Sequence, residues 1–269
     1  MNIKRISSGL IGFAFVVLVF IFGNAYLLDA IVSIVALISM YEYIHCFKST
    51  NKAKPISWMC YGSCLLITIL HIIKMEYIVY IIAIFIPLAI MILFMHVIIS
   101  ELKITINDIA VTFFGIFYIV MFYMFIPLVY GGANGKFYIW FLVFISWGTD
   151  VFAYAIGRRF GKHKFSKVSP NKSIEGCIAG LVGAVVLSII YTIVINNVCA
   201  FNINYLLVIG MAISLSLIGQ VGDFAASSIK RYVGVKDFGN LIPGHGGMLD
   251  RFDSLMFIAP FAFFFLLLL

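Results

Sequence analysis

The sequence predicts an all-α polytopic integral membrane protein with about nine transmembrane helices and a cytoplasmic N-terminus. Three observations lead there. Of its 269 residues, 64% are hydrophobic, and the mean hydropathy is +1.13, which no soluble globular domain of this size carries. Apolar runs recur at roughly 17–25 residues, enough for a helix to cross the hydrocarbon core of a bilayer. The basic residues fall almost entirely on one side of those runs. The spans must be helices, because lipid offers no partner for backbone polar groups, and the alternating pattern of a membrane barrel is absent. No polar stretch is long enough to bury a core of its own, so no separate soluble domain is expected.

The apolar segments are 8–23, 25–44, 57–73, 77–99, 108–131, 136–156, 177–195, 203–221 and 252–269. The first follows Lys4-Arg5 and resembles a signal peptide, with Gly23 and Ala25 at cleavage-like positions. A second apolar segment follows at once, so an uncleaved anchor is expected. Segments 2 to 5 read as scaffold. Asp29, Glu42, His71 and His96 lie in or near them and read as bundle-facing polar contacts or interfacial groups, and the aromatic run from Phe113 to Tyr130 reads as packing surface. Residues 1–135 thus form a lipid-facing scaffold, and 136–269 carry helices joined by the candidate catalytic loops.

With the N-terminus in the cytoplasm, only Lys74 and Lys136 of the 18 Lys and Arg lie on the outer side. Adding or losing one span would scramble this asymmetry, so it supports the count as well as the orientation. The formal net charge of +7 is therefore a mark of topology and anionic lipid head groups, and no nucleic-acid partner is expected. The five cysteines lie in or beside spans at spacings that fit no disulfide framework. Cys60 and Cys64, one helical turn apart, could share a metal but read better as small buried thiols.

The second half changes character. The sixth segment holds Ser146-Trp147-Gly148-Thr149-Asp150 and ends at Gly157-Arg158-Arg159-Phe160-Gly161-Lys162. Asp150 lies in an apolar segment, where a carboxylate needs a cation or a wet cavity; Arg158 and Lys172 are candidate structural partners. The Gly157–Lys162 stretch is not a P-loop: the glycine and lysine are one residue too close, and no Ser or Thr follows. Ser169-Pro170-Asn171-Lys172-Ser173-Ile174-Glu175-Gly176 is a polar turn into the seventh segment, whose Gly176, Gly180, Gly183 and Ala184 suit close helix packing.

The densest polar run is 223–253. Only 11% of the chain is charged, yet four aspartates and four Lys or Arg gather here. Asp223, Ser227 and Lys230 recur at i, i+4 and i+7, one face of a helix if the eighth segment continues past Asp223. Asp250 and Asp253 share a face where the ninth begins. Between them, Pro243-Gly244-His245-Gly246-Gly247 cannot be regular helix. Carboxylates, glycines and cations together suit a polyphosphate with Mg²⁺, a hard ion that binds through few carboxylates plus substrate phosphates. The alternative, a solvated inside loop, explains the cations but not the aspartates or the His-Gly-Gly turn.

Ser227-x-Ile229-Lys230-Arg231-x4-Lys236-Asp237 followed by Pro243-Gly244-His245-Gly246-Gly247-x2-Asp250-Arg251-x-Asp253 resembles the signature of the phosphatidate cytidylyltransferase family. Asp150-x2-Ala153-Tyr154, the Gly157–Lys162 turn and the 169–176 turn resemble the family's other polar elements. The resemblance covers about 146–176 and 222–254. There are departures: Ala226 stands where the family commonly has an acidic residue, Ile174 where it has tryptophan, and Ser173 where it has threonine.

The resemblance implies transfer of CMP from CTP to phosphatidic acid, with Mg²⁺ and room for a second metal ion. It makes Asp223 and Asp250 metal ligands, with Asp150 and Asp253 as further candidates. Lys230, Arg231, His245 and Arg251 are the candidate catalytic groups, and His245 alternatively serves the turn as a structural hydrogen bond. Lys172, Ser227, Ser228, Lys236, Gly246 and Gly247 are the candidate substrate-binding groups. The expected setting is the cell (inner) membrane with the site on the cytoplasmic side; a homodimer is left open. The rival readings are a CTP-dependent polyprenol kinase and an ion-coupled transporter.

Overall fold

The computed structural model describes residues 3–268 except 70, 71, 73, 74, 167, 171, 243 and 245. Among the described residues every regular element is a helix: α1 (Ile3–Phe22), α2 (Ala25–Ser49), α3 (Ser57–Cys64), α4 (Met75–Ile99), α5 (Ile106–Gly115), α6 (Phe125–Gly131), α7 (Gly135–Phe160), α8 (Ile174–Val198), α9 (Tyr205–Val233) and α10 (Leu249–Leu266). A 3₁₀ turn, Leu65–Ile69, extends α3, and a π-helical stretch, Ile116–Met121, follows α5. Two isolated bridges, Lys164 to Ser173 and Ile242 to Gly246, are the only extended pairings among these residues.

Among the described residues, each of the nine apolar segments therefore carries helix. Five runs among the described residues are long and apolar enough to cross a bilayer: Ala25–Ser49, Ile106–Gly131, Gly135–Phe160, Ile174–Val198 and Tyr205–Val233. The protein is an all-α membrane protein.

Side chains set several helix starts. Asn24 accepts from the Leu27 amide at 2.8 Å. Thr105 and Asp108 form a reciprocal capping box at α5. Ser173 accepts from the Gly176 amide at 3.1 Å and caps α8, a task serine performs as well as threonine. The helices also outrun the apolar segments at their polar ends: α7 to Phe160, α9 to Val233, and α10 back to Leu249.

By contact the chain forms two compact units. One comprises residues 1–128 and 233–251, the other 129–232 and 252–269. In the first, α2 lies at the core: Met40 and Tyr43 are fully buried, and the Tyr43 hydroxyl donates to the Val111 carbonyl at 3.0 Å. A Cβ on Gly115 would sit 2.5 Å from the Tyr43 ring, so glycine is what admits it. Cys60 and Cys64 are fully buried free thiols in α3.

In the second unit, α7 and α8 pack along a seam of small residues. A Cβ on Gly176 would meet the Ala153 carbonyl at 2.8 Å, one on Gly180 the Thr149 carbonyl at 2.7 Å, and one on Gly183 the Phe152 ring at 2.3 Å. The packing role expected for these glycines is borne out. A buried Thr149–Ser216 hydrogen bond of 2.8 Å ties α7 to α9 one residue before Asp150.

Candidate active site

In the unit formed by 129–232 and 252–269, the charged residues are placed by α7, α9, α10 and the loop before α8. The helix expected to continue past Asp223 does so, which puts Asp223, Ser227 and Lys230 along one stretch of α9. Gly222 sets how closely α9 approaches α10. A Cβ there would lie 2.5 Å from that of Phe257 and 3.1 Å from the Asp253 carbonyl oxygen. Asp223 follows directly, so this close approach brings its carboxylate into electrostatic reach of Asp253.

Asp253 is buried, and its Oδ1 accepts from the Ser254 amide at 2.7 Å. Asp223 and Asp150 bear on it as like charges, and Lys230, itself buried, opposes them. Lys172 forms an ion pair with Asp223, and each side chain is about a quarter exposed. Its ammonium also lies 4.5 Å from the centroid of the Phe224 ring, on which Phe165 stacks at 4.8 Å. Arg158 donates to the Tyr154 hydroxyl at 3.2 Å, so of the two candidate structural cations, Lys172 is the one held at the carboxylates.

The loop from Gly161 to Ser173 holds Lys172 there. Its His163 Nδ1 lies 2.6 Å from Glu175 Oε1, the Ile174 amide donates to the His163 carbonyl at 2.9 Å, and the Phe165 amide donates to the Lys172 carbonyl at 3.1 Å. Arg231, exposed, donates from Nε to the Val168 carbonyl at 3.4 Å. The polar turn recognised at 169–176 thus serves as scaffold for one lysine. Ser227 is buried, whereas Ser228 is exposed and its hydroxyl donates to the Phe224 carbonyl at 2.8 Å. Ala226 is fully buried, so an acidic side chain at that position would enter the interior.

Beside this charged group runs an apolar groove of about 560 Å³, lined among others by Phe165, Ile174, Ile178, Leu217, Val221 and Phe224. Ile174 lines it where the resembled family has tryptophan.

In the unit formed by 1–128 and 233–251, Asp250 organises the glycine turn. It is buried, and its Oδ2 accepts from the Phe238 amide at 2.9 Å and the Gly247 amide at 3.0 Å. The turn is irregular, as expected: Gly244 and Gly246 have φ of +79° and +82°, a region that favours glycine. A Cβ on Gly246 would lie 3.2 Å from Asp250 Oδ2. Lys236 and Arg251 are exposed. His245 lies outside the described residues.

The residue that sequence reasoning assigned only a generic polar contact is Glu42, on α2. Its Oε1 accepts from the Met248 amide and its Oε2 from the Leu249 amide, each at 2.9 Å. The available signal was a carboxylate in an apolar span, which must have a partner; which partner could not be read.

The donor chemistry fits a Mg²⁺-type ion. In the second unit, Asp223 and Asp150 bear on Asp253, Lys172 pairs with Asp223, and Lys230 opposes the carboxylates at Asp253. Among the described residues no three carboxylate, imidazole or thiol groups close into a protein-only cage. Mg²⁺ does not need one, since it keeps water and takes substrate phosphates.

The description "Cytidylyltransferase family" belongs to the family model that matches residues 3–269. Among curated proteins, the chain is 45% identical over 129 residues to the phosphatidate cytidylyltransferase of Staphylococcus haemolyticus, covering 48% of each chain. It is 39% identical over 170 residues to that of Staphylococcus saprophyticus, covering 63% of each. With that of Bacillus subtilis it shares 37% over 182 residues, 67% of this chain and 66% of the relative. The chain thus spans between about half and two thirds of the length of these relatives.

Proposed function

The chain belongs to the cytidylyltransferase family, and from that premise we propose that it is a phosphatidate cytidylyltransferase of the cell membrane. The reaction transfers CMP from CTP to phosphatidic acid, giving CDP-diacylglycerol and pyrophosphate. A phosphate oxygen of phosphatidate bonds to the α-phosphorus of CTP while the bond from that phosphorus to the β-phosphate oxygen breaks. The nucleophile is already an anion of roughly −1.5 to −2 charge, as phosphate monoesters are, so no strong general base is required. The protein's tasks are alignment and charge compensation.

One observation carries this reading: within a single unit, a group of aspartates and lysines borders an apolar groove. A lipid phosphate has the same two halves. Lys172 and Lys230 are suited to phosphate oxygens, with Arg231, Lys236 and Arg251 as further cations for the triphosphate and the departing pyrophosphate. His245, Ser227, Ser228, Gly246 and Gly247 keep the substrate or catalytic roles that the motif implies. The groove suits an acyl chain, each buried methylene contributing about 0.8 kcal/mol.

Asp223 and Asp253, with Asp150, offer carboxylates to a Mg²⁺ ion; the motif also assigns Asp250, and room for a second ion stays part of the reading. When bound, Mg²⁺ would offset charge on the phosphates. The reading includes nine spans and a cytoplasmic N-terminus, as the charge asymmetry suggests, with the 161–173 loop and the glycine turn on the cytoplasmic side, where CTP is found. A homodimer is compatible with this reading.

The test is an assay of the detergent-solubilised protein with CTP, phosphatidic acid and Mg²⁺, following lipid product and pyrophosphate together. CDP-diacylglycerol and pyrophosphate are expected in equal amounts, and chelation of Mg²⁺ should abolish both. Release of CDP with a newly phosphorylated lipid would show a kinase instead, and no nucleotide turnover would overturn the enzymatic reading altogether.

A further inference from the structure

Three consecutive amides at the start of α10 are taken up by two carboxylates from distant parts of the chain. The Gly247 amide donates to Asp250 Oδ2, and the next two, Met248 and Leu249, donate to Glu42 Oε1 and Oε2. The Glu42 contacts close a loop of 206 residues. The first amides of a helix have no partner within it, and a carboxylate that takes two of them also meets the positive end of the helix dipole. Glu42 is 4% exposed, so water does not compete for these donors.

The fit around the carboxylate is close on two sides. A Cβ on Gly239 would lie 2.5 Å from Glu42 Oε1, and a Cβ on Gly247 would lie 2.5 Å from Oε2. One helical turn further along α2, the Cys46 thiol donates to the Phe238 carbonyl at 3.1 Å, while the amide of that same Phe238 donates to Asp250. Helix α2 therefore holds the segment at both of its ends, at Phe238 and at Met248-Leu249. The Asp250 carboxylate ties Phe238 to Gly247 within this segment, and its charge bears on Glu42. Two neighbouring carboxylates repel, and they stay together here because each receives two backbone N–H groups.

We propose that Glu42 is a positioning residue: it fixes the glycine turn and the first turn of α10, and so sets the orientation of the Asp250 carboxylate and the Gly246-Gly247 backbone. That consequence for turnover rests on the phosphatidate cytidylyltransferase reading; the lock itself does not. Groups that orient a functional carboxylate typically cost about 10–100-fold in metal affinity or activity when removed.

Glu42→Gln is the decisive variant, because it keeps the shape and one acceptor but turns an NH₂ donor toward one of the two amides. It is expected to lower kcat about 10–100-fold and to raise the Mg²⁺ concentration for half-maximal rate, with KM for phosphatidic acid little changed. Hydrogen–deuterium exchange at residues 246–250 should speed up, while the melting temperature in detergent stays close to that of the wild type. A residue of purely structural value would lower the melting temperature and leave turnover per folded molecule, its Mg²⁺ dependence and its exchange at 246–250 unchanged; that result overturns the proposal. If the Gln variant does not accumulate, Gly247→Ala pushes a methyl group against Glu42 and should give the same pattern; wild-type turnover in that variant overturns the proposal equally. A wild type without cytidylyltransferase activity would sink the enzymatic reading and leave the exchange measurement to decide the lock.

Discussion

At Asp253, burial and like charge act together. The side chain is 7% exposed, and Asp223 and Asp150 both repel it, with Lys230 as the opposing charge. Removing a buried like charge relieves the folded state, while removing a carboxylate from a charge-compensating group costs the reaction that uses it. Asp253→Asn is therefore expected to melt no lower than the wild type in metal-free detergent and to form CDP-diacylglycerol about 10²–10³-fold more slowly, the loss typical of deleting one preorganised electrostatic partner. Thermal melting and product formation measured on one preparation check both halves. A variant that keeps full activity would remove Asp253 from the site. The family resemblance brought Asp253 forward as a metal candidate second to Asp250, and spacing put the two on one helix face. Spacing alone could not show that Asp250 Oδ2 takes up two backbone amides, or that Asp253 has the carboxylates of α7 and α9 around it.

At the scale of elements, α9 owes its approach to α10 to one missing side chain. Gly222 admits the Phe257 side chain and the Asp253 carbonyl where any Cβ would collide. Gly222→Ala must push the two helices apart by a fraction of an ångström or more. Overpacking of this kind costs about 1–3 kcal/mol. The expected result is a modest fall in melting temperature with a disproportionate loss of turnover, because the displaced helices carry Asp223 and Asp253; stability and kcat of the same purified variant decide it, and an equal or greater loss in stability alone would count against the placement. The helices themselves were legible: every apolar segment carries helix among the described residues, and the glycines at 176, 180 and 183 have the packing role their spacing suggested. Helix ends were less legible. Hydropathy stops where side chains become polar, but backbone hydrogen bonds continue through solvated turns, so α7 and α9 run on to Phe160 and Val233. The π-helical stretch at Ile116–Met121 leaves no mark in an aromatic-rich run, and the Glu42 contacts span a sequence separation that periodicity does not reach.

For the whole molecule, the distribution of positive charge argues for one orientation, and one native cysteine can test it. Cys199 is free and exposed, and it closes the C-terminal end of α8. With the N-terminus inside and nine spans, α8 runs outward and Cys199 faces the exterior, whereas Lys236, in the exposed segment after α9, faces the cytoplasm. A membrane-impermeant maleimide added to intact cells should label the wild type, and Cys199→Ser should abolish that labelling, since Cys46, Cys60 and Cys64 are buried and the half-buried Cys177 lies at the opposite, cytoplasmic end of α8. In the Cys177→Ser/Cys199→Ser background, Lys236→Cys should be labelled only after permeabilisation. The reversed pattern would invert the orientation and put the 161–173 loop, with its lysines, on the side without CTP. That outcome would contradict the charge asymmetry and the proposed reaction at once, because both require the same face: positive charge is retained in the cytoplasm during insertion, and the proposed reaction draws on cytoplasmic CTP.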